Sequence, residues 1–138
     1  MDDIHEIARA LPGVTLADGR ATVYQVSRRS FLFFRNQRPD AVDPETGERL
    51  NDVIVLWVES EFEKEAILSV TSLPFFTTPH FDGHPSVLVR GSRIGELSRD
   101  ELATFVEGAW LSRAGPRAVA TWMKQHSRSE DAEGGWAG

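Results

Sequence analysis

The chain has 138 residues, of which 41% are hydrophobic and 26% charged, as is typical of one folded domain and unlike a disordered or collagen-like chain. The absence of cysteine excludes disulfides, thiolate catalysis and cysteine zinc sites. The formal net charge of −6 disfavours a protein that coats nucleic acid or membranes indiscriminately. No apolar run approaches the ~20 residues that cross a bilayer, and the acidic start lacks the basic residues of a signal peptide. We therefore expect a cytoplasmic protein that does not bind membranes.

Charge is segregated along the chain. Residues 20–38 carry five arginines and no acid, and residues 108–129 carry four basic residues and no acid. Between them, residues 40–65 carry nine acids against two basic residues. One interpretation is a surface with a basic and an acidic face. The other is that charged loops and helix faces serve only solvation, and the pattern favours the two equally.

The first third of the chain predicts a helix and then a hairpin. Apolar residues at helical spacing follow Asp3 and end before Pro12. Two runs rich in β-formers, residues 22–26 and residues 31–34, predict an antiparallel hairpin with Arg28 and Arg29 at its tip. Strand alternation places Phe31 and Phe33 on one face, and Leu32 and Phe34 on the other.

The middle of the chain predicts a loop, a buried strand and a short helix. Residues 36–51 contain prolines, glycine and acids and predict a long exposed loop. The almost continuous apolar run at residues 53–58 predicts a strand that is covered on both faces. Ser60 and Glu63 have capping-box spacing, so a helix is expected from there to about Val70. Its predicted buried side chains are Phe62, Ala66, Ile67 and Val70.

The last third predicts one more strand and two helices. Residues 86–90 form the strand, and Ser98 with Glu101 has the spacing of a second capping box, which begins a helix to about Ser112. Gly115-Pro116 separates it from a final helix that ends at about His126. The expected fold class is α+β with two layers, an antiparallel sheet carrying an N-terminal helix, one inserted helix and C-terminal helices. One domain spans residues 1–126, and residues 127–138 are expected to form a flexible C-terminal tail.

The densest group of reactive side chains is His80, Asp82 and His84. Two imidazoles and a carboxylate can bind zinc or iron, but such sites rely on a helix or strand to fix the imidazoles. This segment contains two prolines and a glycine, so a turn that bonds backbone groups is favoured over a metal site. The nucleophile elbow, the phosphate-binding loop and the dinucleotide fingerprint are absent from the sequence. We expect a protein that is not an enzyme and has no metal or cofactor.

Three short motifs and their order carry a family resemblance. They are residues 10–15 (ALPGVT), residues 78–90 (TPHFDGHPSVLVR) and residues 109–117 (AWLSRAGPR). With the aromatic hairpin between the first two, this order resembles the MmcQ/YjbR family over residues 1–124. The resemblance implies a CyaY-like α+β fold and DNA binding by a double-wing arrangement. The family's motif turn falls here on Pro79, His80, Asp82, Gly83 and Pro85.

Two departures from the family pattern concern charge. Arg117 stands where the family often has a lysine, which preserves the positive charge, and the acidic loop over residues 40–52 is longer than usual. If the wings exist here, the hairpin tip is one candidate, and the region around Arg90 and Arg93 is the other. The residues expected to meet DNA phosphates are Arg28, Arg29, Arg35, Arg90, Arg93, Arg113, Arg117 and Lys124.

Alternatives to phosphate docking remain open from the sequence. Bases could stack on Tyr24 and the hairpin phenylalanines, as they do on some sheet platforms. A non-enzymatic module could instead bind a protein or a small ligand in a cleft beside the turn at residues 79–85. A frataxin-type metal carrier ranks last, because half of the acids at residues 40–65 lie in a loop. Oligomeric state and sequence preference are not predictable from this pattern.

Overall fold

Five strands form one antiparallel sheet in the order β1-β2-β3-β4-β5, and the helices complete a two-layer α+β fold. The computed structural model describes residues 2–18, 22–35, 41–43 and 45–134, and it describes only the backbone at residues 2, 18 and 126–134. The strands are β1 (Thr15–Asp18), β2 (Thr22–Val26), β3 (Arg29–Phe34), β4 (Val53–Trp57) and β5 (Ser86–Arg90). The helices are α1 (Asp2–Ala10), α2 (Glu61–Ser69), α3 (Arg99–Arg113) and α4 (Pro116–Gly134), with short 3-10 segments at Pro79–Phe81 and Gly91–Glu96. The predicted fold class is confirmed.

Strand β4 has buried side chains on both faces of the sheet, as its apolar run predicts. Ile54 and Leu56 belong to a large cluster with side chains of α1 and α3, which we call the helix-side core. Val53 and Val55 belong to a smaller cluster with residues of the loop before β4 and the turn before β5, which we call the loop-side core. Hydrogen bonding to β3 and β5 makes β4 an internal strand.

Strand β1 and a bulge in β3 differ from the prediction. Apolar alternation does not reveal β1, because the described side chains at residues 15–17 are exposed. In β3, Leu32 pairs with Tyr24 and Ser30 pairs with Gln25, so Phe31 is an extra residue between the two pairs. The bulge places Phe31 and Leu32 together in the helix-side core, while Phe33 packs on the loop-side core. The predicted pairing of Phe31 with Phe33 on one face is therefore wrong.

Helix α2 faces the sheet with a different side from the predicted one. The Ser60 cap is confirmed, since its Oγ accepts the N–H of Glu63 over 3.2 Å. Phe62, however, is 82% exposed, whereas Lys64 is only 6% exposed. Val70 and Ala66 are exposed too, so Ile67 alone of the four predicted residues is buried. The Nζ of Lys64 donates to the carbonyls of Phe81 at 2.6 Å and His84 at 2.9 Å, which satisfies the buried amine.

The loop before β4 packs on the sheet and is less exposed than predicted. Ala41 and Leu50 are buried in the loop-side core, and Val42 forms an isolated bridge with Arg49. Gly47, with a φ of +73°, lets the chain turn back so that its N–H donates to the carbonyl of Asp43 over 2.7 Å. Residues 36–40 and Pro44 lie outside the described residues.

The C-terminal helices begin where predicted, and the last one extends further. The Ser98 and Glu101 capping box has both of its hydrogen bonds. The predicted end of α4 at about His126 is wrong, because the backbone is helical through Gly134. Among the described residues, no helix is both long enough and apolar enough to span a bilayer.

Candidate nucleic-acid interface

The tip of the β2–β3 hairpin is a tight turn fixed against the helices. Ser27 and Arg28 both have positive φ, 52° and 66°, as in the type I′ turns whose twist suits a two-residue hairpin. The Oγ of Ser27 accepts the backbone N–H of Gly115 over 2.8 Å. This contact joins the tip to the junction between α3 and α4. The side chains of Arg28 and Arg29 are exposed there.

Gly115 permits the close approach of this junction to the hairpin. A Cβ at this position would lie 3.0 Å from the Oγ of Ser27, tighter than an ordinary van der Waals contact. Pro116 then begins α4, a favoured first helical position. The exposed Arg117 follows at once, so the contact between Ser27 and Gly115 brings Arg117 close to the hairpin arginines.

Arg113 lies between the hairpin and the sheet. Its Nε donates to the carbonyl of Ser30 over 3.1 Å, and its guanidinium carbon lies 3.9 Å from the centre of the Trp57 ring. Burial, and then the positive charge of Arg29, lower the pKa of Arg113 below its usual range. Arg29 and Arg113 are thus near enough to repel each other.

Helix α4 adds the positive end of its dipole to this region. Its first turn contains no acidic residue, so no side-chain carboxylate in that turn offsets the free N–H groups. Lys124 is exposed two helical turns after Arg117 and lies on the same side of the helix. We call this region the basic corner, and its members are Arg28, Arg29, Arg113, Arg117 and Lys124. Among the described residues, none of these five has a salt bridge with a carboxylate.

Arg90 and Arg93 lie away from the basic corner and are paired with acids. Arg90 contacts Asp52 at 3.2 Å and Asp43 at 3.5 Å. Arg93 contacts both carboxylate oxygens of Glu96, at 2.7 and 3.0 Å. Because Arg90 pairs with Val53, at the far end of β4 from Trp57, about 13 Å of strand separates it from the hairpin end. The structure does not unite these arginines with the hairpin tip.

The carboxylates around Arg90 are held in the charged form. The backbone N–H of Glu45 donates to the carboxylate of Asp43. This bond, a second one from the N–H of Thr46 and the charge of Arg90 lower the pKa of Asp43. Burial alone would raise the pKa of Asp52, but hydrogen bonds from Ser92 and Arg90 outweigh it and lower that pKa. The charge of Arg90 is therefore largely compensated within the protein.

Arg35 also lies at the far end of the sheet from the hairpin tip. Its backbone N–H donates to the carbonyl of Val53 over 2.8 Å, and its guanidinium carbon lies 5.0 Å from the centre of the Phe81 ring. The distance is that of a cation–π contact. Arg35 thus contributes to packing against the turn before β5, and Arg20 and Arg38 lie outside the described residues.

The motif turn at residues 79–85 is packed onto the sheet. Phe81 is buried in the loop-side core, and Gly83, with a φ of +77°, takes the left-handed conformation. The carbonyl of Pro85 accepts the N–H of Val58 over 2.8 Å. His80 and Asp82 are exposed. Together with the two bonds from Lys64, these contacts give the turn a structural role.

Within this turn, His84 packs on Trp57, the ring that Arg113 of the basic corner also covers. Its Nδ1 is 2.8 Å from the Oγ of Ser86, and its ring centre is 4.3 Å from that of Trp57. Burial, followed by the charges of Lys64, Arg113 and His80, lowers the pKa of His84. In the described part of the chain, no three histidine, aspartate or glutamate side chains are grouped to hold a metal ion.

The aromatic side chains proposed for base stacking are engaged inside the protein. Tyr24 is 1% exposed, and its hydroxyl lies 2.6 Å from the Nδ1 of His5. Phe31 is fully buried, and Phe34 stacks on His5 at 4.9 Å between ring centres. Trp57, which sequence reasoning did not single out for the site, is covered by Arg113. The basic corner therefore offers guanidinium groups rather than open ring faces.

Comparison with known proteins finds relatives that match over nearly their whole length and have no assigned activity. No family model and no solved structure matches the chain. Uncharacterised proteins of Mycobacterium bovis and Mycobacterium tuberculosis are each 28% identical to it over 130 residues, which cover 88% of this chain and 94% of the relatives. The similarity therefore extends over most of the chain.

Proposed function

We propose that this protein is a non-enzymatic DNA-binding member of the MmcQ/YjbR family, acting in the cytoplasm and docking on phosphates through the basic corner. The contact between Ser27 and Gly115 carries the proposal, because it joins the hairpin tip to the start of α4. Three exposed arginines, Arg28, Arg29 and Arg117, lie within two residues of this contact. The order of the three sequence motifs supports the family assignment.

The electrostatics of the basic corner favour an anionic partner. Burial first, and then repulsion by the nearby charge of Arg29, lower the pKa of Arg113. A phosphate placed between them would remove that repulsion and gain charge-assisted hydrogen bonds. The net charge of −6 disfavours binding over the whole surface, but it opposes a local contact less, because charges farther away than about 8 Å are largely screened at physiological salt.

The shape of the basic corner suits a backbone rather than a single phosphate. Arg117 and Lys124 lie about 10 Å apart along α4, since each residue advances a helix by about 1.5 Å. That span covers roughly three phosphates along one strand of duplex DNA. Arginines and a helix N-terminus recognise phosphate oxygens, which carry no sequence information, so we propose docking with little preference for sequence.

Fluorescence anisotropy with labelled duplex and single-stranded DNA tests this proposal. Each phosphate contact contributes about −0.9 to the slope of log affinity against log salt for duplex DNA. Four or five contacts predict a slope of roughly −4 between about 50 and 200 mM salt. The variant Arg28→Ala/Arg29→Ala/Arg117→Ala should make the slope shallower by about 2.7 and lose most of the affinity at low salt.

A matched control removes the same amount of charge elsewhere. The variant Arg49→Ala/Arg93→Ala/Arg99→Ala also deletes three exposed arginines, two of which pair with acids. We expect it to keep the slope and nearly all of the affinity. Equal losses in both variants would show that only net charge matters, and absence of binding by the unmodified protein at low salt would refute DNA binding.

A further inference from the structure

An open cleft lies between α2 and α3, away from the described contacts of the hairpin. Its volume is about 540 Å³, which is within the range of small-molecule sites. Val58, Ile67 and Ala109 are buried residues that line it, and Phe105 and Leu111 extend its apolar lining. Nothing lies within 4 Å of where a Cβ of Gly108 would be, so the cleft is unobstructed at that point.

The charged groups that line this cleft are all acidic. Glu59 and Glu63 lie on its α2 side, and no lysine, arginine or histidine with a described side chain lines it. Both carboxylates are exposed, and neither forms an ion pair with a described residue. Glu63 follows the cap at Ser60, but among the described residues the reciprocal capping bond is made only at Ser98 by Glu101. The Glu63 carboxylate thus makes no capping hydrogen bond at the start of its own helix.

We propose that this cleft binds a small organic cation, a molecule with an apolar body and a protonated amine. The apolar body would pack on the apolar lining and displace water chiefly from Phe105 and Leu111, which are less buried than Val58, Ile67 and Ala109. The ammonium group would lie beside Glu59 and Glu63, where opposite charge compensates two carboxylates at once. The two carboxylates would repel an anion of the same shape, and no positive charge in the described lining would offset that repulsion.

The cation and the polyanion bind separate surfaces. The cleft reaches Ser112, the residue before Arg113, so along α3 it ends next to the basic corner. Charge complementarity assigns phosphates to the arginines and the amine to the carboxylates. The cation site does not depend on DNA binding, since none of the five residues of the basic corner lines the cleft.

Amide NMR spectra of the full isotope-labelled protein test this proposal. Two probes with the same apolar body and opposite charge are compared. Phenylbutylamine carries a positive charge and phenylbutyrate a negative one. At about 0.15 M salt, where long-range attraction is screened, we expect phenylbutylamine to shift the amides of Gly108, Ala109 and Leu111 saturably. Phenylbutyrate should bind there at least roughly tenfold more weakly.

Two variants with the same change of charge separate the cleft from the helix as a whole. Glu59→Gln/Glu63→Gln should weaken phenylbutylamine binding by roughly 3- to 10-fold. Glu61→Gln/Glu65→Gln removes two exposed acids of α2 that do not line the cleft, and should change the affinity less than about twofold. Equal weakening by both variants, equal binding of the two probes, or no saturable shift at millimolar probe would each overturn the proposal.

Discussion

The backbone N–H of Gly115 and the Oγ of Ser27 lie 2.8 Å apart, although 88 residues separate them in the chain. This hydrogen bond joins the tip of the β2–β3 hairpin to the start of α4. It determines which arginines share a surface, and the proposed phosphate contacts depend on it.

The tight fit at this contact predicts coupling between the two residues. Gly115→Ala places a methyl group 3.0 Å from the Oγ of Ser27, and we expect it to reduce the free energy of unfolding by about 1 kcal/mol. In the Ser27→Ala background the same substitution should cost clearly less, because the oxygen is gone. Urea denaturation of the two single variants and the double variant measures this coupling. Strict additivity would mean that the two residues are not in contact in solution.

Lys64 predicts a large loss of stability from one buried amine. Lys64→Met removes two hydrogen bonds to the carbonyls of Phe81 and His84, and leaves both carbonyls without that donor. We expect the free energy of unfolding to fall by about 2–3 kcal/mol, as for buried bonds to charged groups. Lys124→Met, on an exposed position of α4, is the matched control and should stay within about 0.5 kcal/mol. Equal effects of the two substitutions would contradict the role of Lys64 in holding the turn.

The orientation of α2 gives a third prediction. Phe62→Ser changes a side chain that is 82% exposed, so we expect the free energy of unfolding to change by less than about 0.5 kcal/mol. Ile67→Ala, five residues later on the buried side of the helix and 8% exposed, should cost about 2–4 kcal/mol. Thermal or urea unfolding distinguishes the two. A large loss from Phe62→Ser would indicate that the helix presents Phe62 to the sheet after all.

His84 predicts a loss of stability in mild acid. Its pKa is lowered in the folded protein from 6.5, chiefly by burial, so the unfolded chain binds a proton more readily than the folded one. The contribution is fully present above pH 6.5 and is lost as pH falls from there through the lowered pKa. Unfolding curves taken across this range should show stability rising with pH, and His84→Asn should flatten that rise. An NMR titration in which the His84 ring protonates at or above its ordinary pKa would contradict this account.

Elements with strong local signals could be predicted from the sequence. The pairing of Ser98 with Glu101 and the apolar run of β4 depend on neighbours within a few residues, and both are present in the structure. The bulge at Phe31 and the burial of Lys64 depend on partners in other elements. Alternation and helical spacing contain no information about those partners, which is why Phe62 was predicted to be buried and Lys64 was not.

In the candidate site, too, features with local signals could be predicted, and contacts with distant parts of the chain could not. The turn signal correctly placed Arg28 and Arg29 at a hairpin tip. Arg90 was selected for its charge, but its carboxylate partners lie 38 and 47 residues away in the chain and are not visible in the local pattern. Gly115-Pro116 indicated a break between helices. The contact of Gly115 with Ser27 could not be predicted, because the two residues come together only in the folded chain.

Mapping of amide NMR shifts on addition of a short DNA duplex at low salt tests the central claim most directly. If phosphates dock at the basic corner, the amides of residues 27–30 and 115–118 will shift most and will return as salt is added. The amides around Arg90 and Arg93 should stay in place, since acids already compensate those charges. Shifts centred on Arg90 and Arg93, or no shifts at low salt, would contradict the proposed interface.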